Sequence, residues 1–334
     1  MPGRRGAANA PLTIWAVSDG RAGIEAQVLG LAEAVARLRP AQIVVKRIGW
    51  KAGLGRLPWR LNLAPRLTLR SDSPIAAPWP DIWISAGRAS LPLATRVRRW
   101  SRSATFVVQT QDPRTNLAAF DLVIPPAHDG LSGDNVFAIA GAPNRLQPQR
   151  LAAAAEQFAG RLASLPHPRV AMIVGGTSRA FSLPPARARA MAESVARTVE
   201  AAGGSLLLSF TRRTPAAART LITEQLNAVP GWIWDGTGNN PYVAFLDAAD
   251  AILVTEDSVN LATDAAATGK PVHILAMVGG SEKFRRFHAD LRERGVTRPF
   301  RESLEPWSYE PLAETHRAAQ ELLRRYEANS SPQR

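Results

Sequence analysis

Short apolar runs alternate with longer stretches of helical period along most of the chain. Leu12 to Val17 is apolar and ends in Ser18-Asp19-Gly20, which predicts a strand over 13–18. Val28, Leu29, Leu31, Val35 and Leu38 then recur with helical spacing, predicting a helix over about 23–38. Strands are expected at 42–48, 81–85 and 104–109, a helix near 89–100, and short apolar runs at 121–124 and 136–139. Helix 149–163 and Pro166-His167-Pro168 read as a connection. The alternation then repeats. Strands are expected at 169–174, 205–210, 232–234, 250–255 and 271–276, and helices at 185–202, 215–227, 241–248, 258–268, 281–294 and 310–327.

Strands separated by helices imply parallel sheets. The expected fold is therefore α/β, with two Rossmann-like domains facing across a cleft. The expected boundary lies at 160/161: an N-terminal domain over 1–160, and a C-terminal domain over 161–334 that includes the closing helices. In such sheets ligands bind beyond the carboxyl ends of strands, so the chemistry is sought in the loops that follow them.

In the second half, Gly175-Gly176-Thr177-Ser178 follows a buried strand, resembles a phosphate cradle, and fits neither a Walker motif nor GxGxxG. Arg212, Arg213 and Thr214 follow the next strand and offer a diphosphate clamp, with Thr214 as a helix cap. Asn240 and Tyr242 close a polar loop suited to a base or ribose. Thr255, Asp257 and Ser258 form a polar elbow ahead of an Ala-rich helix. Asp264 on that helix is the expected acceptor for ribose hydroxyls. Taken singly, each segment also reads as an ordinary turn, cap or exposed helix carboxylate.

In the first half, Asp19 is a candidate base, beside Gly20, Arg21 and Gly23 in the first loop. Ser85, Gly87 and Arg88 follow the third strand, and Gln109, Gln111 and Asp112 the fourth. These form an expected acceptor side.

Charge changes the picture most in the first third. Residues 1–120 carry 18 basic and six acidic groups, whereas the rest of the chain carries 23 and 22. No acid occurs from Ala34 to Ser71, where Arg56, Trp59, Arg60, Arg66 and Arg70 are interleaved with Leu. That segment can lay apolar groups into lipid while Arg meets headgroups. No motif for nucleic acid accompanies it. The chain has no Cys, and its five His lack paired-ligand spacing, so neither a metal nor a cofactor is expected. No apolar run approaches the length of a membrane span. The expected location is cytoplasmic, peripheral at the inner face of the membrane.

Several motifs together resemble the ELM-type mitochondrial fission family. They are Ser18-Asp19-Gly20-Arg21-x-Gly23-x-Glu25-x-Gln27, Gln109-x-Gln111-Asp112-Pro113, Gly175-Gly176-x-Ser178-Arg179-x-Phe181, Thr211-Arg212-Arg213-Thr214-Pro215, Asn240-Pro241-Tyr242 and the Thr255 to Pro271 block. The resemblance runs in order over nearly the whole chain. It implies a GT-B-like fold, because the Gly175–Ser178 loop and the Asp257–Pro271 block resemble the donor-nucleotide elements of the N-acetylglucosaminyltransferase of peptidoglycan synthesis. The implied activity is metal-free transfer of a sugar from a nucleotide diphosphate to a lipid-linked or envelope acceptor. The family name implies the alternative of a non-catalytic, partner-recruiting protein at a membrane. Family members often carry Pro-Gly-His after the first-loop Arg, where this chain has Ala22-Gly23-Ile24. Either Asp19 or Glu25 then moves the proton, or the chain is catalytically altered. A nucleotide-sugar epimerase with a Tyr-x-x-x-Lys pair is disfavoured, since none of Tyr242, Tyr309 and Tyr326 has Lys four residues on.

Overall fold

A computed structural model describes residues 10–51, 59–62, 64–71 and 74–330. The chain divides into two compact units, residues 1–145 with 313–334, and residues 146–312.

In the first unit the expected alternation is present as β1 (Leu12–Ser18), α1 (Ala22–Leu38), β2 (Ala41–Trp50), α2 (Pro65–Thr68), β3 (Leu69–Ser71), β4 (Ile82–Ser85), α3 (Leu91–Trp100), β5 (Phe106–Gln109) and β6 (Leu122–Val123). The sheet order is β3-β2-β1-β4-β5-β6, parallel throughout except for the antiparallel β2–β3 pair. Alternate residues of β1 feed opposite cores. Ile14 and Ala16 pack with Leu31 and Val35 of α1, whereas Trp15 and Val17 pack with Trp83, Leu93 and Val97. The apolar run at 136–139 forms single bridges to Val123 and Pro126 and no strand.

The second unit comprises α4 (Pro148–Leu162), β7 (Arg169–Val174), β8 (Phe181–Ser182), α5 (Pro185–Ala201), β9 (Ser205–Phe210), α6 (Ala216–Leu226), β10 (Gly231–Ile233), α7 (Tyr242–Ala248), β11 (Ala251–Thr255), α8 (Val259–Ala266), β12 (Val272–Leu275), β13 (Val278–Gly279), α9 (Glu282–Glu293) and β14 (Thr297–Pro299). Its main sheet is all parallel, in the order β10-β9-β7-β11-β12-β14. Counted within the sheet, this repeats the 3-2-1-4-5-6 order of the first sheet.

Two assignments differ from the sequence expectation. The helix expected at the end of the first domain, α4, packs on α7 and contributes Leu162 to the core of the second unit. The last helix, α10 (Glu314–Ser330), packs on α1 instead of closing the second domain. Its Ala318, Ala319, Leu322 and Leu323 form a helical stripe in the first unit's core. Glu314 and Thr315 at its start accept the backbone N–H groups of Ala140 and Asn144. The division falls at Arg145/Leu146 and again at Leu312/Ala313.

Candidate functional site

The chain turns to opposite sides of β7 on leaving it and on returning, which places the second unit's topological switch between β7 and β11. Gly175 and Gly176 leave β7 there, and Glu256, Asp257 and Ser258 leave β11. The buried Asp257 carboxylate joins them. Its Oδ2 accepts the Gly176 N–H at 3.0 Å and an Arg213 N–H at 2.6 Å, and its Oδ1 accepts the Thr255 hydroxyl at 2.7 Å. Thr255 Oγ1 in turn accepts the Gly175 N–H at 2.7 Å. A Cβ on Gly175 would stand 2.0 Å from Asp257 Oδ1, and one on Gly176 2.0 Å from the Arg213 carbonyl oxygen. Glycine is required here because the carboxylate and a neighbouring backbone occupy the space of a side chain.

The expected phosphate cradle is wired differently. All four amides of Gly175–Ser178 are engaged within the protein. Thr177 donates to the Arg213 carbonyl and Ser178 to the Phe181 carbonyl. The Ser178 hydroxyl accepts the N–H groups of Ala180 and Phe181, building the turn into β8. The Thr214 hydroxyl donates to the Val174 and Gly175 carbonyls and caps no helix; α6 follows Pro215. Gly176, Arg213 and Thr255 thus form a brace around Asp257, Thr214 ties the Gly175 carbonyl beside it, Ser178 serves the turn to β8, and Thr177 and Arg212 remain exposed.

The other helix that starts at this switch is α8, whose N-terminal end carries the dipole that favours an anion. Ser258 is its N-cap and accepts the Leu261 N–H. Asp264 lies six residues further along, about 9 Å at the helical rise, and its Oδ2 accepts the Tyr242 hydroxyl at 2.8 Å. Asn240 holds Tyr242 there by accepting its N–H at 2.9 Å. Burial pushes the Asp264 carboxyl up to about 7, against the opposing effects of the Tyr242 hydrogen bond and Arg150. The Tyr242 hydroxyl is pushed up by burial and by Asp264. Sequence reasoning passed over Glu256, half-buried between the ends of β11 and β12. Its carboxyl accepts the Met277 N–H and is raised by burial. The acidic run Glu256-Asp257 was the available signal.

The first unit has its own switch between β1 and β4. Ser18, Ser85, Gln109 and Thr110 are buried at the carboxyl ends of its strands, with Gln27 of α1 beside them. Ser85 donates to Gln109 Oε1 at 2.8 Å, and Gln111 donates to Gln27 Oε1 at 3.0 Å. Asp19 is engaged by Arg21, whose Nε donates at 2.8 Å. Arg47 grips Glu25 with two N–H donors at 2.7 and 2.9 Å, and the Ser18 hydroxyl also donates to it. The Arg47 hydrogen bonds hold the Glu25 carboxyl below its usual range, which makes it a weak base. Sequence reasoning missed Arg47. The signal was its place at the end of the second strand, which parallel register sets beside Ser18. Gly87 has a left-handed backbone, and a Cβ there would touch Ile24 at 3.5 Å. Ile24, standing where family members often have His, therefore packs at this switch. Arg88 is exposed, Gly20 lies in the exposed first loop, Gly23 is exposed in the first turn of α1, and Asp112 accepts the Arg114 N–H.

Of the basic excursion, Arg56 lies outside the described residues. Trp59 and Arg60 fall in a single 3-10 turn, and Arg60 donates to the Arg114 carbonyl. The Arg66 guanidinium stands over the Trp100 ring at 4.1 Å and the Trp79 ring at 5.2 Å, and Arg70 is exposed in β3. Among the described residues, no cluster of three His, Asp or Glu could hold a metal, and no helix is long and apolar enough to cross a membrane.

The pattern of the family described as Mitochondrial fission ELM1 matches residues 22–326. The chain belongs to that family. It is 32% identical over 291 residues to Mitochondrial fission protein ELM1 of Arabidopsis thaliana, covering 79% of this chain and 66% of that relative. It thus spans just under two thirds of the plant protein. Among solved structures, this ELM1-family chain resembles a putative UDP-N-acetylglucosamine 2-epimerase from Listeria monocytogenes, with a TM-score of 0.56 and 13% identity over 96% of this chain and 97% of that one. It also resembles the UDP-GlcNAc 2-epimerase of Methanocaldococcus jannaschii in complex with UDP-GlcNAc and UDP, with a TM-score of 0.55 and 11% identity over 94% and 99%. At such identities the likeness establishes the fold, which is α/β and GT-B-like.

Proposed function

We propose that the second unit binds a nucleotide-diphosphate sugar and that the protein is a GT-B-type transferase acting on a lipid-linked or envelope acceptor. One observation carries the reading. Along α8, a capped N-terminus suited to phosphate is followed at about nucleotide length by a half-buried carboxyl suited to ribose hydroxyls. The exposed Arg212 supplies a cation on the same carboxyl edge of the sheet. In the transfer, the bond from the sugar's anomeric carbon to the diphosphate breaks. The acceptor oxygen bonds that carbon, and its proton passes to Asp19 or Glu25. Helix amides and Arg212 would stabilise the departing diphosphate. The solved structures that share the fold include a complex with UDP-GlcNAc and UDP, which makes a uridine diphosphate sugar the first donor to try.

A second reading has its own support. Ile24 stands in place of a common His, and both first-unit carboxylates are held by Arg. A nucleotide-binding, partner-recruiting protein without transferase activity would tolerate both features. On either reading, Leu61 and Leu67 (63% and 75% exposed) support peripheral attachment beside Arg60 and Arg70 on the cytoplasmic face of a membrane.

The test is a thermal-shift panel of nucleoside diphosphates and nucleotide sugars on the wild type and Asp264→Ala. A selective stabilisation by uridine nucleotides that Asp264→Ala abolishes is expected. No shift with any nucleotide would sink the donor reading. A shift without sugar turnover would favour the recruiting protein.

A further inference from the structure

On the sheet face opposite α8, the second unit contains a hollow of about 590 Å³ between α5 and the ends of β12 and β14. The hollow is half open to solvent, with room for a small polar ligand. Met191, Leu275 and Phe300 supply apolar lining, and Arg187, Arg197, Arg301, Glu193 and Glu302 supply charge, with Arg197 paired to Glu302. The Arg187 Nε donates to the Ala276 carbonyl at 2.9 Å, which fixes that guanidinium at the rim.

Two donors one turn apart on α5 converge on a single oxygen. The Ser194 hydroxyl lies 2.9 Å from Glu302 Oε1, and an Arg197 N–H lies 3.2 Å from the same atom. The carboxylate that fills this position comes from a residue with φ +57, a backbone region that Glu rarely adopts. The Arg197–Glu302 pair is exposed, so exchanging its carboxylate for another anion costs little.

We propose that this hollow is a second ligand site, which takes a small organic phosphate of sugar-phosphate size, and that Glu302 is its internal stand-in. A phosphate oxygen replaces Glu302 Oε1 on Ser194 and Arg197, and Arg301 and Arg187 neutralise the remaining charge. The organic body lies on Met191, Leu275 and Phe300. Release of the Glu302 carboxylate frees the side chain of the 300–305 segment after β14, which couples occupancy to that segment. The site does not use α8 or Asp264, which lie on the other face of the sheet, and its one link to the switch is the charge of Arg187 on Glu256.

The experiment is calorimetric titration of the full chain with glucose 6-phosphate, using glucose as the neutral control. Wild type is expected to bind the phosphate and not the sugar. Arg197→Ala weakens binding by about tenfold or more, the effect of one charge-assisted hydrogen bond. Glu302→Asn removes the competing carboxylate, keeps a residue that tolerates a positive φ, and tightens binding several-fold. Asp264→Ala leaves the affinity unchanged. The proposal is overturned if Glu302→Asn binds no tighter than wild type, or if neither binds. It is equally overturned if Asp264→Ala abolishes binding while Arg197→Ala does not.

Discussion

Arg213, just beyond β9, holds the buried Asp257 carboxylate at 2.6 Å, while its own carbonyl oxygen accepts the Thr177 N–H. One residue therefore pins both the acidic elbow after β11 and the glycine turn after β7. Asp257→Asn leaves the size unchanged and removes the charge that three donors address. The Arg213 end of this pair is exposed, so the loss rests mainly on the buried hydrogen bonds from Gly176 and Thr255 and is expected to be about 1–3 kcal/mol. Gly176→Ala forces a methyl onto the Arg213 carbonyl and is expected to cost a comparable amount, because backbone must move. Urea denaturation of both variants checks this. A loss below about 1 kcal/mol in both would show that the brace is dispensable.

Much of this architecture was legible in the sequence. Strand runs such as 169–174, 205–210 and 250–255 are continuous and apolar because both faces of a parallel sheet are buried, and turn residues mark their ends. The alternation cannot say on which body a helix docks. α4 and α10 are amphipathic helices, and a stripe of helical period does not name its partner; for α10 the packing of Ala318 and Leu322 in the core shared with α1 decides. The site was legible as a set of loops, and Tyr242, Asp264, Gly176 and Asp257 do meet as pairs. The wiring was not. Whether a loop amide faces a ligand or a carboxylate 81 residues away depends on contacts that no local pattern encodes. Arg47 escaped notice for the same reason, since its partner lies 22 residues earlier on another element.

Asp264 predicts a pH dependence of known sign. Its folded value of about 7 exceeds that of an ordinary carboxylate, so the native state keeps a proton that the unfolded chain has lost. Stability from this group is therefore present at acid pH, declines from about pH 4 to about pH 7, and is level above. Asp264→Asn should be more stable than wild type at pH 8, by about 1–2 kcal/mol after discounting for the part of the residue that solvent still reaches, and nearly equal at pH 4. Thermal denaturation at the two pH values tests this. If ribose hydroxyls need the ionised carboxylate, nucleotide affinity should also rise between pH 6 and pH 8 in wild type and stay flat in the Asn variant.

Glu25 behaves in the opposite sense. The Arg47 hydrogen bonds lower its carboxyl, so its contribution is present above the ordinary carboxylate value and is lost as pH falls through the lowered one. Arg47→Ala should raise the Glu25 titration midpoint, read by carboxyl-resolved NMR. The accompanying loss of stability should be small and confined to neutral pH, because the guanidinium is exposed. If Glu25 is the proton acceptor, the acid limb of the activity profile shifts upward in this variant. If the limb stays in place while the NMR midpoint moves, Glu25 is not the base.

The basic excursion separates two roles that composition alone merges. Arg66 lies over the Trp79 and Trp100 rings, so its removal should destabilise the first unit by about 0.5–2 kcal/mol through lost cation–π contact and packing. Arg60 and Arg70 are exposed beside Leu61 and Leu67, where charge and apolar area are both available to a bilayer. Each basic group near an anionic surface contributes about 1 kcal/mol, so Arg60→Glu with Arg70→Glu should lower the partition onto phosphatidylserine vesicles by more than tenfold. Leu67→Ser should weaken binding to neutral and anionic vesicles alike, because it removes insertion and leaves the charge. Flotation of these variants beside Arg66→Ala distinguishes the roles: unchanged partition of the double Glu variant, with binding lost only in Arg66→Ala, would assign the segment to folding and remove the membrane from the account.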